Sequence, residues 1–157
     1  MIKPITKSDL IDCLDILKMS FEEGAVRFGL THNYRGRTRL PISELEKEFL
    51  EGCMMYGYYY NDELVGFLSL KFLKDDAMGI NDIAILPEYQ SKGFGSKLMQ
   101  FSKEEAKRHH CKKIRLGMID DNLKLKAWYE KHGFNTVELV KYDTVTYTVG
   151  KMEFILT

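Results

Sequence analysis

The chain has 157 residues, 45% of them apolar and 29% charged, which suits one soluble globular domain (1–157) with a single core. Lys+Arg and Asp+Glu balance at 23 each, so no global charge argues for nucleic acid or an anionic membrane as partner. No apolar run approaches a membrane span, and the opening Met1-Ile-Lys-Pro-Ile-Thr6 lacks the apolar stretch of a signal peptide. Cys13, Cys53 and Cys111 are widely spaced and odd in number. That fits neither a disulfide framework nor a zinc site; it points to a reducing cytoplasm, with each cysteine a small buried hydrophobe.

In chain order, residues 1–6 read as a strand. Thr6 is an N-cap with Asp9 three residues on, and Leu10, Leu14, Leu17 and Phe21 follow at helical spacing. Residues 22–40 lose that period and read as a loop with one short helix. Pro41 and Ser43 open a second helix with Leu45, Phe49 and Leu50 on its apolar side, ending at Gly52. Met54 to Tyr60 and Leu64 to Phe72 read as strands joined by a turn at Asn61-Asp62-Glu63. After a second turn at Lys74-Asp75-Asp76, Gly79 to Leu86 is a strand.

The next helix carries Phe94, Leu98 and Phe101 on one face and ends in a basic run, Lys107 to Lys113, as the helix dipole favours. Ile114, Leu116 and Met118 alternate as a buried strand face. A further helix is capped by Asp121 or Asn122 and stopped at Gly133. Phe134 to Tyr142 and Val145 to Leu156 form a terminal hairpin, whose apolar phase slips at Gly150 as a bulge would make it.

The junction at Ile83 to Leu98 carries the most chemistry. A strand stops at Pro87, a polar turn with Gly93 and Gly95 follows, and a helix begins. Backbone N–H groups at a helix start attract anions, and glycine lets a ligand approach the backbone, so the segment reads as a phosphate cradle. A P-loop is excluded because no Gly-Lys-Ser or Gly-Lys-Thr follows such a run. A dinucleotide fingerprint is excluded because Leu98 stands where its third glycine or alanine belongs. What remains is Gln90-x-x-Gly93-x-Gly95, which resembles the pyrophosphate motif of the GCN5-related N-acetyltransferase (GNAT) family. Downstream, Asn122, Tyr129 seven residues on, and then Glu130-Lys-His-Gly133-Phe134 resemble that family's next helix. The resemblance covers roughly Leu64 to Leu139.

The resemblance implies an α/β fold: a mixed twisted sheet of six or seven strands with helices on both faces. It implies a cytoplasmic enzyme using acetyl-CoA as cosubstrate and no metal, in which an amine attacks the thioester directly. The acceptor is a primary amine of a small molecule; alternatives are a protein or peptide amine, or a coenzyme A-binding protein without turnover. No nucleic acid or membrane partner is implied, and a homodimer is compatible with it. The backbone of Ile83, Ala84 and Ile85 would pair with the pantetheine arm and point an N–H at the acetyl oxygen. The N–H groups of Gln90, Ser91, Lys92, Gly93, Phe94, Gly95 and Ser96 would hold the pyrophosphate, with charge from Lys92 and Lys97. Asn122 would bind pantetheine, or cap its helix, or both.

Tyr129 is the candidate general acid, since a phenol donates a proton while itself neutral at pH 7; otherwise its ring packs beside the cofactor. Trp128 reads as core. Asp82 is the candidate base, with an ordinary solvent-facing aspartate as its other reading, and Glu22, Glu23 and Asn81 behind it. The histidines show no metal spacing. Between Arg27 and Arg39 stand four arginines. In relatives this region walls the acceptor site, which suggests an acceptor carrying an acidic group; solvated arginines paired with glutamates are the alternative.

Overall fold

The computed structural model describes residues 1–27 and 40–157, the side chains of 23–27 apart. The arginine-bearing segment up to Arg39, His32 and the Glu23 side chain lie outside the described residues. Among the described residues, no helix is long and apolar enough to cross a membrane.

The elements are β1 (Ile2–Pro4), α1 (Leu10–Arg27), α2 (Ile42–Leu50), β2 (Met54–Tyr60), β3 (Glu63–Leu73), β4 (Ala77–Ile85), α3 (Phe94–Arg108), β5 (Lys113–Ile119), α4 (Leu123–Lys131), β6 (Asn135–Val140) and β7 (Val149–Ile155). The sheet has seven strands in the order β1-β2-β3-β4-β5-β7-β6. It is mixed: β1/β2, β2/β3, β5/β7 and β6/β7 pair antiparallel, whereas β4 and β5 pair parallel over Ala77–Gly79 against Lys113–Arg115. The chain forms two compact units, Met1–Lys71 with Asn81–Leu98, and Phe72–Ile80 with Met99–Thr157.

In the first unit, the carboxylate of Asp9 accepts from both the backbone N–H and the hydroxyl of Thr6, at 3.0 and 2.8 Å. This box opens a 3-10 turn, Lys7–Asp9, rather than the α-helix itself. Leu10, Leu14 and Leu17 are buried as their spacing predicts. The helix then runs on through Gly24 to Arg27, where the lost apolar period had suggested a loop. Glu22, Glu23 and Ala25 are good helix formers, and one glycine costs only about 1 kcal/mol. Cys13 is fully buried, and burial, followed by the charges of Asp9 and Asp12, pushes its thiol up to about 12, so it stays protonated. Cys53 and Cys111 are half-exposed, contrary to the expectation for them.

In α2, Leu45 is buried but Leu50 is 71% exposed. Five residues turn a helix by about 140° beyond a full revolution, so the two leucines cannot share a face. The turn between β2 and β3 is left-handed at Asn61 and Asp62, as is that before β4 at Asp75 and Asp76; short polar side chains tolerate this region best.

In the second unit, Ile114, Leu116 and Met118 are buried as their alternation predicts. The buried face of α3 includes Ser102 and Glu105, with Phe101 only half-buried. Glu105 is paired there: the Arg108 guanidinium donates to its carboxylate at 3.1 and 2.8 Å. The terminal hairpin also departs from expectation. β7 begins at Val149, so residues 145–148 impose no phase on it, and Gly150 pairs in register with Met118 and Leu139. The bulge lies instead in β6, between Thr136 and Glu138.

Across β5 and β7, Glu153 accepts from Arg115 at 2.8 Å, with Lys113 at 3.4 Å. Burial raises the Glu153 carboxyl, but the Arg115 hydrogen bond and the Lys113 charge outweigh it and hold it below its ordinary value. A lowered carboxylate stabilises the fold above the ordinary carboxylate range. That contribution is lost as the pH falls through the lowered native value. Glu153→Gln is expected to cost about 1 kcal/mol near neutral pH, a charged hydrogen bond trimmed by solvent screening of the two cations. Urea melts check this: the gap between wild type and variant must narrow at about pH 3, and a gap independent of pH would remove the ion pair as its cause.

Candidate acetyl-donor site

The cradle is built within the first unit. Strand β4 buries Asp82, Ala84 and Ile85 and leaves Asn81 and Ile83 half-buried. Asp82 is only 3% exposed, so its solvent-facing reading is overturned. It shares the inward side with Ala84 and Leu86, where period two placed it, and that side is buried. The Asn81 amide donates to Cys53 Sγ at 3.6 Å. Glu22 lies exposed on α1.

At the end of β4 the Ile85 carbonyl accepts two side-chain hydrogen bonds. Ser20 Oγ of α1 donates at 2.8 Å and Gln90 Nε2 at 2.9 Å. The next N–H, that of Leu86, donates to the Val65 carbonyl at 2.9 Å. The chain then enters a 3-10 turn, Pro87–Tyr89, with proline at its first position, where a missing N–H costs nothing.

Ser91 and Gly93 follow, both with positive φ, 64° and 86°. A Cβ added at Gly93 would meet nothing within 4 Å, so this glycine serves the backbone dihedral and not tight packing. Its carbonyl accepts the first helical bond, from Lys97 N at 3.1 Å, which makes Gly93 the N-cap of α3. The first-turn N–H groups of Phe94, Gly95 and Ser96 therefore run along the helix axis at its positive end. Lys92 and Lys97 are exposed beside them. This donor set, with open space at Gly93, fits a pyrophosphate.

Aromatic packing fixes the cradle's position. The Phe94 ring stacks on Tyr58 at 4.6 Å and lies 5.1 Å from Tyr60, while Tyr89 lies 6.0 Å from Tyr60. Pairs of this kind contribute about 0.5–1.5 kcal/mol each beyond area burial. The Tyr89 hydroxyl donates to Glu63 at 2.8 Å, tying the turn to the start of β3, and that bond raises its phenol above the ordinary value.

The second unit holds the other candidates. Asn122 caps α4: its Oδ1 accepts from Leu125 N at 3.3 Å, which leaves its NH2 outside the cap. Tyr129 is 7% exposed, with its ring edge-on to Trp128 at 5.3 Å and to Phe134 at 5.8 Å. Trp128 is half-buried rather than core, and its ring lies 4.4 Å from that of His132. His132 is lowered first by burial and then by Lys103 and Lys131, so it is neutral at pH 7. Helix α4 stops at Gly133, where φ is +94° and an added Cβ would come within 2.8 Å of the Phe154 ring.

Lys103 gave no sequence signal. It donates to the His132 carbonyl at 2.6 Å and sits 4.0 Å over the Phe154 ring, closing the end of the helix that carries Tyr129.

The seven-stranded mixed sheet, with β4 leading through a tight turn into a glycine-capped helix, is an α/β arrangement of the acetyltransferase kind, and comparison gives the family. The model of the Acetyltransferase (GNAT) family matches residues 15–134, and the chain belongs to that family. Its enzymatic class is accordingly N-acetyltransferase. The [ribosomal protein bS18]-alanine N-acetyltransferase of Haemophilus influenzae is 35% identical over 114 residues, 73% of this chain and 67% of that protein. The uncharacterized N-acetyltransferase YvbK of Bacillus subtilis is 28% identical over 103 residues, 66% of each. The chain thus spans about two thirds of the length of these curated relatives. The PaiA N-acetyltransferase of Thermoplasma acidophilum, solved in complex with coenzyme A, superposes with a TM-score of 0.81 at 18% identity, over 99% of this chain and 98% of that one. That likeness shows the fold.

Proposed function

We propose that this chain transfers an acetyl group from acetyl-CoA to a primary amine by direct attack. The observation that carries the reading is the turn before α3: a left-handed Gly93 as N-cap, which starts a helix whose first-turn N–H groups suit an anion. Acetyl-CoA supplies the thioester-bound acetyl group. The Gln90 N–H donates to the Pro87 carbonyl at 3.2 Å, against the expectation that it binds phosphate. The N–H groups from Ser91 to Ser96 hold the pyrophosphate, and the backbone from Ile83 to Ile85 and the Asn122 NH2 hold the pantetheine arm.

The acceptor nitrogen forms the C–N bond as the C–S bond breaks. A backbone N–H of β4 stabilises the charge that develops on the acetyl oxygen. Tyr129 gives its phenolic proton to the departing sulfur and recovers one from solvent. The proton lost by the amine passes to Asp82, directly or through water. A single domain working in the cytoplasm, without a metal, completes the reading.

The acceptor is a small-molecule amine in the first instance. The likeness to a ribosomal-protein alanine acetyltransferase favours a second reading, the α-amine of a protein. Calorimetry with coenzyme A, followed by thiol release from acetyl-CoA against a library of amines and N-terminal peptides, tests both. Absence of coenzyme A binding would remove the proposal. Binding without transfer to any amine would leave a coenzyme A-binding protein without turnover.

Asp82→Asn tests the base in the same assay. The variant is expected to lose about 10²-fold in kcat/KM, the lower end for a general base, together with the acidic limb of its pH profile. A profile that overlays the wild type assigns the proton elsewhere.

A further inference from the structure

The Ile85–Leu86 peptide is held at both of its polar atoms. Its carbonyl accepts from Ser20 Oγ at 2.8 Å and Gln90 Nε2 at 2.9 Å, and its N–H donates to Val65 O at 2.9 Å. A carbonyl oxygen has two lone pairs, and here side chains fill both. One donor comes from α1, 65 residues away, and the other from the turn that opens the cradle. This is an unusual investment at a strand end, since a sheet ladder would ordinarily supply the partner from backbone.

Two consequences follow. The Ile85 carbonyl is closed to any ligand, so a pantetheine arm pairs with β4 through groups on the amino-terminal side of that oxygen. The direction in which the chain leaves β4 for the cradle is fixed by two side chains that need not touch the ligand at all.

We infer that Ser20 and Gln90 are positioning residues that act jointly through the Ile85 carbonyl to align the donor-binding strand with the phosphate cradle. The inference rests on the proposed acetyl-CoA reading, and it gives the glutamine of Gln90-x-x-Gly93 a task distinct from phosphate contact. Because the donors share one acceptor, each alone compensates in part for loss of the other, and removing both leaves the carbonyl unpaired, with the peptide held only through the Leu86 N–H on Val65 O. The loss must therefore be more than multiplicative, as expected for groups that share a partner.

The test is a double-substitution cycle, with coenzyme A affinity read by calorimetry. Ser20→Ala and Gln90→Met are each expected to weaken binding about 3-fold, and together about 30-fold or more, against about 9-fold for independent sites. Ser20→Thr, which keeps the hydroxyl, restores near-wild-type affinity. In turnover, KM for acetyl-CoA rises while KM for the amine stays, a split that a general loosening of the fold would not produce.

Gln90 lies on an exposed turn, so Gln90→Met carries the test alone if a Ser20→Ala chain is unstable. An unchanged acetyl-CoA KM in that variant then overturns the inference. Multiplicative losses in the cycle, or no loss in the double variant, also overturn it while leaving the acetyl-CoA reading intact. A wild-type protein that does not bind coenzyme A overturns the acetyl-CoA reading itself, and the inference with it.

Discussion

Gly95→Glu is expected to abolish coenzyme A binding, weakening it by more than about 100-fold, while the protein remains folded. Gly95 is the second residue of α3, and its N–H belongs to the first turn, where the proposed pyrophosphate would bind. A side chain there blocks the approach of a phosphate, and a carboxylate repels it. The same substitution favours the helix. Glu is a better helix former than Gly, and a negative charge in the first turn is stabilised by the dipole, each by a few tenths to about 1 kcal/mol. Binding and stability are therefore expected to move in opposite directions, which no general damage to the fold produces. Calorimetry beside a thermal melt reads both. Unchanged affinity would take the pyrophosphate away from this helix, and lost binding with a collapsed melt would say nothing for the cradle and count against the argument about the helix.

Tyr129→Phe is expected to lower kcat by about 10²–10⁴-fold, the usual range for a general acid, with coenzyme A affinity nearly kept. The substitution removes a hydroxyl and retains the ring, so the edge-on contacts with Trp128 and Phe134 persist. A residue that only packs beside the cofactor would barely notice the change. A leaving thiolate deprived of its proton donor would notice it in kcat and not in binding. The measurement must be made where chemistry limits the rate. An unchanged kcat under that condition reduces Tyr129 to packing. A leaving group of lower pKa in place of the thiol should narrow the difference between wild type and variant, because a better leaving group needs less help from an acid.

The parts of the fold that follow short-range rules were legible. Alternation in Ile114, Leu116 and Met118 gave β5, and the spacing of Leu10, Leu14 and Leu17 gave α1. The turn between β4 and α3 was legible because its signals are local: Pro87 opens a 3-10 turn and Gly93 takes the positive φ that starts the helix. Asn122 as a cap followed from the same kind of local rule. The failures were equally local. The phase slip assigned to Gly150 came from treating residues 145–148 as strand, whereas the bulge belongs to β6, whose own pattern gave no sign of it.

The sequence by itself determined the order of elements, the glycine-capped start of α3 and the motifs that mark the family, because each depends on residues within a few positions of one another. Only the tertiary structure decided which polar groups are buried and what meets them. Asp82 reads identically as a surface or a buried residue until folding buries its side of the strand, since period two gives a side and not what packs there. Ser20 carries no signal in its helix, and Lys103 none in its own. Each becomes meaningful through a carbonyl that folding brings within 2.8 Å of Ser20 and 2.6 Å of Lys103, 65 and 29 residues away along the chain. A backbone acceptor has no sequence identity to match, so such contacts exist only once the chain has closed its long-range distances.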